Sequence, residues 1–343
     1  MKVLKAIFIF VLIVFGVIIF LEILPVSPKY SNPNPWIVEK GTKPLIIPHG
    51  GAKLLYPENT IYAFEKLEED NYDVFEVDLT LTNDEKLITH HDISLERTIS
   101  DPELINNLTY DEIVSKYINS SFAEDFRNFE GQGLETIDII KDKIVPATLD
   151  YLFTKYKDKM FILELKDTKK NSGNETMVKA VDKLIQLIDE HRMKDNVIVA
   201  AFDDDIIKLI REKSNGEMIT TASTNEAIKF VKFSLLRIDF FYRPQDGVLM
   251  LPADLKLSEQ RTKTANKFPG FIRKQIIKEK AGSYYTDLVK SYLIKDAHRH
   301  NIAIFYWTVN DEEQMKALIE LGVDGIITDR PDILRKVYEE MGI

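Results

Sequence analysis

Glu76 and Asp78, separated by a single position, lie inside the apolar run VFEVDLTL at residues 74–81. The run is rich in β-branched and aromatic types and reads as a strand. Alternate side chains of a strand share a face about 6.6 Å apart, so the two carboxylates point the same way and repel unless something positive sits between them. The run FILELK at 161–166 repeats the spacing with Glu164 and Lys166, while LIIPH ends in His49 and LITHHD ends in His91 and Asp92. Three carboxylates from two strands form an oxygen cage suited to Mg2+ or Ca2+. The competing arrangement is a set of buried ion pairs with Lys166 and Arg97.

These residues need strand ends to hold them. From Leu45 onward, short apolar runs alternate with helical patterns, the mark of repeated βα units. Strands are expected at 45–49, 74–81, 160–166, 196–202, 217–223, 247–252, 302–310 and 325–329. Helices are expected at 60–70, 148–157, 176–191, 204–214, 225–236, 285–300, 311–321 and 331–340. Eight such units close into an α/β fold, the (β/α)8 TIM barrel, whose active sites form at the strand C-termini. A doubly wound open sheet is the alternative, but HGGAKLL after the first strand does not fit G-x-G-x-x-G. Inward positions of a barrel are normally apolar, so ionisable groups there require partners or a metal. Two connections exceed plain loops. Residues 83–147 carry an insertion after the second strand, about 93–147, and residues 253–284 are rich in Lys and Arg.

The chain of 343 residues has a net charge of -10, which argues against nucleic acid as a partner. It has no cysteine, which excludes disulfides, thiolate metal sites and a cysteine nucleophile. Residues 1–26 read as one N-terminal transmembrane helix, since AIFIFVLIVFGVIIFL extended by EILPV reaches the ~20 residues a span requires. Lys2 and Lys5 place the N-terminus inside, which makes this a single-pass protein of the cell membrane with its catalytic domain outside the cytoplasm. Residues 27–44, with Pro28, Pro33, Pro35 and Pro44, read as a Pro-rich semi-extended tether, and 45–343 as the barrel domain. The segment 261–280 interleaves basic residues with Phe268, Phe271 and Ile272, as a lid or membrane-facing loop would. His90 is expected to be structural, and His191, His298 and His300 to lie on the surface.

An ordered series of motifs carries a family resemblance: HGG at 49–51, YPENT at 56–60, FEVDLTLTNDEKLITHHDISLERT at 75–98, VPATLDYLF at 145–153, FILELK, IVAAFD at 198–203, FYWTVND from 305 and GVDGIITDRPD to 332. From Leu45 to its end the chain resembles the glycerophosphodiester phosphodiesterases. The resemblance implies a (β/α)8 barrel, a divalent cation and hydrolysis of phosphodiesters that carry glycerol. Substrates of that class are deacylated or lyso-phospholipids and glycerol-phosphate polymers of an envelope, cleaved to a glycerol phosphate and an alcohol. Position by position, Glu76, Asp78 and Glu164 look like the metal ligands, His49 and His91 like the acid–base pair, and Lys166 like a contact to the phosphate. Phe202 and Trp307 fall where members have apolar walls near the substrate. Many members carry arginine directly after the first histidine, where this chain has Gly50; either Lys53 or a residue of the basic loop substitutes, or the phosphate is held more loosely. Cleavage through a cyclic phosphate, or a barrel that only binds glycerophosphate groups, are the alternatives.

Overall fold

The structure, a computed structural model, describes residues 2–26, 30–39, 41–123, 141–259, 262–263, 266 and 270–343. Residues 124–140 of the expected insertion and Phe268 of the basic segment lie outside the described residues, as do the side chains of Phe271 and Ile272. The strands are β1 (Leu45–Pro48), β2 (Val74–Leu81), β3 (Leu87–Thr89), β4 (Met160–Leu165), β5 (Val197–Ala200), β6 (Val248–Pro252), β7 (Ile277–Lys280), β8 (Ser283–Thr286), β9 (Ala303–Trp307) and β10 (Gly325–Thr328). The helices are α1 (Lys2–Ile23), α2 (Ile61–Glu69), α3 (Glu96–Ile99), α4 (Tyr110–Asn119), α5 (Leu149–Lys155), α6 (Asn174–Glu190), α7 (Asp204–Lys213), α8 (Thr224–Leu235), α9 (Gly270–Ile276), α10 (Ser291–Arg299), α11 (Glu312–Leu321) and α12 (Pro331–Met341).

Parallel pairing runs β2-β4-β5 on one side and β1-β10-β9-β6 on the other. Single bridges from Val199 to Thr220 and from Thr221 to Val248 join the two, and β1 lies beside β2. The ring therefore has the eight staves of a TIM barrel. The fifth stave is shorter than the expected strand at 217–223. Ser223 is already committed as the N-cap of α8, in a capping box with Glu226, so only Thr220 and Thr221 are left to pair. The apolar return after β2 is β3, paired antiparallel to it. The stretch 253–284 holds a hairpin, β7 and β8, that hydrophobic pattern did not suggest. Ala281 and Gly282 both take positive φ there, as a two-residue I′ turn requires, and the expected helix at 285–300 starts only at Ser291 because β8 runs to Thr286.

Strand alternation sorts the core. Phe75, Val77 and Leu79 of β2 face the helices, as do Phe161, Leu163 and Leu165 of β4. The opposite face carries Ile47, Val74, Ile162, Ile198, Val248, Ala303, Phe305 and Ile327, an apolar layer inside the barrel near its floor. The supposed tether closes that floor. Trp36 is fully buried in this layer. Around it, the Tyr30 amide donates to the His300 carbonyl (2.9 Å), the Asn34 side chain to the Gly247 (2.7 Å) and Asn301 carbonyls, and the Val38 amide to Asp324. Residues 30–39 are thus part of the folded domain, because an open floor would leave its apolar layer in water. Trp36→Ala is expected to destabilise the domain by about 3–5 kcal/mol, read as a lower urea midpoint with kcat of the folded fraction unchanged.

The histidines at the floor correct a second expectation. His300 is fully buried, its Nε2 bonded to the Asp239 carbonyl, and His298 pairs with Asp324 at 2.8 Å. Both lie at the end of α10, where the chain turns inward to enter β9. Helix α1 is long and apolar enough to cross a membrane, a property that anchors share with signal sequences, and its described side chains from Leu4 to Phe20 are largely exposed.

Candidate active site

The same inward parity that fills the floor with apolar residues turns polar one layer higher. Ile47 is followed by His49, Val74 by Glu76 and Asp78, Ile162 by Glu164 and Lys166, and Ile327 by Asp329. The register sets Asp78 of β2 directly beside Glu164 of β4. Glu76, Asp78 and Glu164 are all buried, and each offers a carboxylate oxygen within 4.8 Å of the others.

Their charge is only partly answered by the protein. The Lys166 ammonium lies 2.8 Å from Asp78 and also pairs with Glu164, and Lys53 stands 4.0 Å from Asp78. Burial alone would raise the Asp78 carboxyl, but Lys166 and Lys53 hold it well below the usual carboxylate range. The same carboxylates hold both ammoniums protonated despite their own burial. Glu76 is different. It accepts a hydrogen bond from the Gly50 amide and forms no ion pair among the described residues. Burial, then the charges of Asp78 and Glu164, push its carboxyl well above the usual range. A buried carboxylate left without a cation, next to two others in an all-oxygen set, is what a hard divalent ion requires, so the residues fit one. Arg97, weighed as a partner of these acids, binds Glu58 and Asp92 instead.

Each imidazole has its own carboxylate. His49 Nδ1 lies 2.7 Å from Asp329, whose other oxygen accepts from Asn310. With Nδ1–H donated to Asp329, Nε2 is left for a reacting group. His91 Nδ1 lies 2.9 Å from Asp92, and its side chain is 40% exposed. From there charges alternate inward through Arg97, Glu58 and Lys53 to Asp78. His90 turns away as expected, buried against Tyr117 and bonded to the Asp92 carbonyl, and burial lowers its pKa.

Backbone geometry makes room for this cluster. Gly50 has φ +53°, and a Cβ there would come 2.6 Å from Lys53 Cε; one on Gly51 would meet Ala63 Cβ at 2.9 Å. The Lys53 side chain thus lies across the face of Gly50, the position where arginine was expected from the resemblance. Asn59 reaches the acids as well. Thr60 caps the helix, while Asn59 at φ +55° donates to Asp78 at 2.8 Å. Asp329 and Asn310 were not singled out from sequence, and Asn59 was read only as a helix cap beside Thr60. Asp329 had a legible signal, since it ends the last inward run as His49 ends the first. Phe202 and Trp307 touch each other, ring centroids 5.4 Å apart, at the ends of β5 and β9, with Phe202 44% exposed.

The model of the glycerophosphoryl diester phosphodiesterase family matches residues 49–333. A glycerophosphodiester phosphodiesterase of Bacillus altitudinis is 27% identical over 297 residues, covering 86% of this chain and 98% of its own. The human protein named lysophospholipase D GDPD1 is 23% identical over 84% of either chain. The structure of an Oleispira antarctica phosphodiesterase in complex with the product sn-glycerol-3-phosphate shares the fold, with a TM-score of 0.57 at 14% identity over 87% of this chain and 97% of that one. Matched from its first site histidine into its last helix, the chain belongs to the glycerophosphoryl diester phosphodiesterase family, enzymes that hydrolyse glycerophosphodiesters.

Proposed function

We propose that this enzyme cleaves glycerophosphodiesters to a glycerol phosphate and an alcohol by acid–base catalysis with His49 and His91, from a barrel anchored to the cell membrane by α1 and lying outside the cytoplasm. The observation that carries the reading is a layer of three buried carboxylates and Lys166 inside the barrel, with Lys53 4.0 Å from Asp78 and an imidazole–carboxylate pair at His49 and at His91. Glu76, Asp78 and Glu164 would hold Mg2+ or Ca2+. When bound, the ion supplies positive charge to the phosphate oxygens.

One imidazole accepts the proton of the attacking hydroxyl as the new P–O bond forms. The other donates a proton to the leaving alkoxide as the old bond breaks. Asp329 and Asp92 keep the two rings oriented. Lys166 and Lys53 answer the charge that builds on the non-bridging oxygens, and Phe202 with Trp307 walls the organic part of the substrate. Early residues favour the anchor over a cleaved leader: no alanine occurs between Ile7 and Gly51, and Pro28 directly follows Ser27. The test is to incubate the protein with glycerophosphocholine, glycerophosphoethanolamine and glycerophosphoglycerol, with Mg2+ or Ca2+, and to follow products by phosphorus NMR. Glycerol phosphate should appear; no turnover of any diester with either ion would refute the assignment.

Lys53 stands in for the arginine that relatives place after the first histidine. Lys53→Met should lower kcat/KM by about 10- to 100-fold, the value of one charge-assisted contact. An unchanged kcat/KM would remove Lys53 from the phosphate site.

A further inference from the structure

We infer that the barrel is mounted on its membrane helix by the floor, with the catalytic mouth facing away from the bilayer, so that its substrates arrive through water. A phospholipid still embedded in the enzyme's own membrane would then be out of reach. This rests on the anchor and hydrolase readings above and narrows the substrate class.

The junction is built. Arg299, at the end of α10, donates to the Leu21 (3.1 Å) and Leu24 (2.9 Å) carbonyls at the C-terminal end of α1 and to Asp239. A guanidinium there satisfies orphan carbonyls and suits the negative end of the helix dipole. Glu22 pairs with Lys295 at 3.6 Å and Arg237 at 3.8 Å, and Val26 is buried. Beyond it, Tyr30, Asn34 and Val38 bind the segments that enter β6, β9 and β10. All of these contacts lie where strands begin, whereas His49, Glu164, Lys166 and Asp329 lie where strands end.

A second observation points the same way. Leu236 and Phe241, 48% and 52% exposed, flank Arg237 and Asp239, the residues that meet Glu22 and Arg299. Large apolar side chains beside the exit of a spanning helix suit the headgroup boundary. The mouth is then separated from that boundary by the barrel's height. The eight residues of β2 span roughly 26 Å along the strand, at about 3.3 Å each, or roughly 21 Å along the barrel axis at a tilt of about 36°. Headgroups project only roughly 5–8 Å beyond the hydrocarbon on each side. A lysolipid could bridge the gap only by drawing its acyl chain into water.

The absence of cysteine allows a direct test. Lys170→Cys, exposed after β4 at the mouth, and Asp195→Cys, exposed before β5 at the floor, each carry a donor dye in the full chain reconstituted in vesicles with acceptor-labelled headgroups. Energy transfer should be severalfold stronger from the floor. Equal or reversed transfer overturns the mounting, and protein that fails to float with vesicles overturns the anchor and the mounting with it. In a second arm the wild-type protein receives soluble glycerophosphocholine, or lysophosphatidylcholine either in its own vesicles or in detergent micelles. Soluble diester should be cleaved alike in vesicles and detergent, and vesicle lysolipid at least tenfold more slowly than micellar lysolipid. Lysolipid cleaved equally well in both forms overturns the substrate restriction. Failure to cleave anything overturns the hydrolase reading, while the dye transfer still decides the mounting.

Discussion

His49→Ala should lower kcat by about 10²–10⁴-fold, the usual worth of a positioned proton-transfer group. Fold stability should stay near wild type. His49 sits at the head of a short 3-10 turn, partly open to the mouth, and among the described residues its side-chain bond is to Asp329. Loss of the ring therefore removes chemistry rather than packing. The control is Asp329→Asn, which keeps size but supplies an N–H where a carboxylate stood. The imidazole would then accept at Nδ1 and carry its proton on Nε2, the wrong tautomer for a base. A fall in kcat approaching that of His49→Ala, at unchanged KM, identifies Asp329 as the residue that positions His49. Activity of His49→Ala within tenfold of wild type would mean that this ring neither takes nor gives the proton.

Legibility of this site followed strand parity. His49, Glu76 and Glu164 sit two residues, and Asp78 and Lys166 four, beyond apolar partners that share their face, so period two alone brings them to the same side of their strands. Eight strand-like runs alternating with helices were enough for the barrel. What stayed hidden depended on contacts between distant segments or on backbone geometry. Trp36 sits in a proline-rich stretch whose composition reads as solvated chain, and only the open floor 250 or more positions away, at Ala303 and Ile327, explains its burial. Asn59 adopts a left-handed conformation next to a helix start, where the ordinary preference is for capping, so its bond to Asp78 had no local signal. The β7–β8 hairpin places Ala281 at positive φ, a position where glycine or asparagine would have announced the turn.

Removal of divalent cation should abolish turnover, and the three acids predict how each variant responds. With EDTA, the ion pairs of Glu76, Asp78 and Glu164 among the described residues are those to Lys166 and, more distantly, Lys53, so three carboxylates share two ammoniums in a buried place. Activity should fall by on the order of 10³-fold or more and return with Mg2+ or Ca2+. Stability offers a readout independent of turnover. At one hundred times its Kd, a ligand of the folded state adds about 2.7 kcal/mol, so the ion should raise the thermal midpoint of the wild type. Glu76→Gln should lose both turnover and that stabilisation. Its stability without cation should instead rise above wild type, because burial and two like charges already disfavour the ionised Glu76. Asp78→Asn should shift the other way, since Asp78 balances Lys166 and Lys53 and its loss leaves ammoniums buried without their partner. Opposite signs for these two variants in EDTA, with neither stabilised by Mg2+ or Ca2+, would identify a cation-binding cluster. Turnover that ignores chelation, or a cation-induced midpoint shift that survives in both variants, would remove the ion from the site and leave the acids to Lys166 alone.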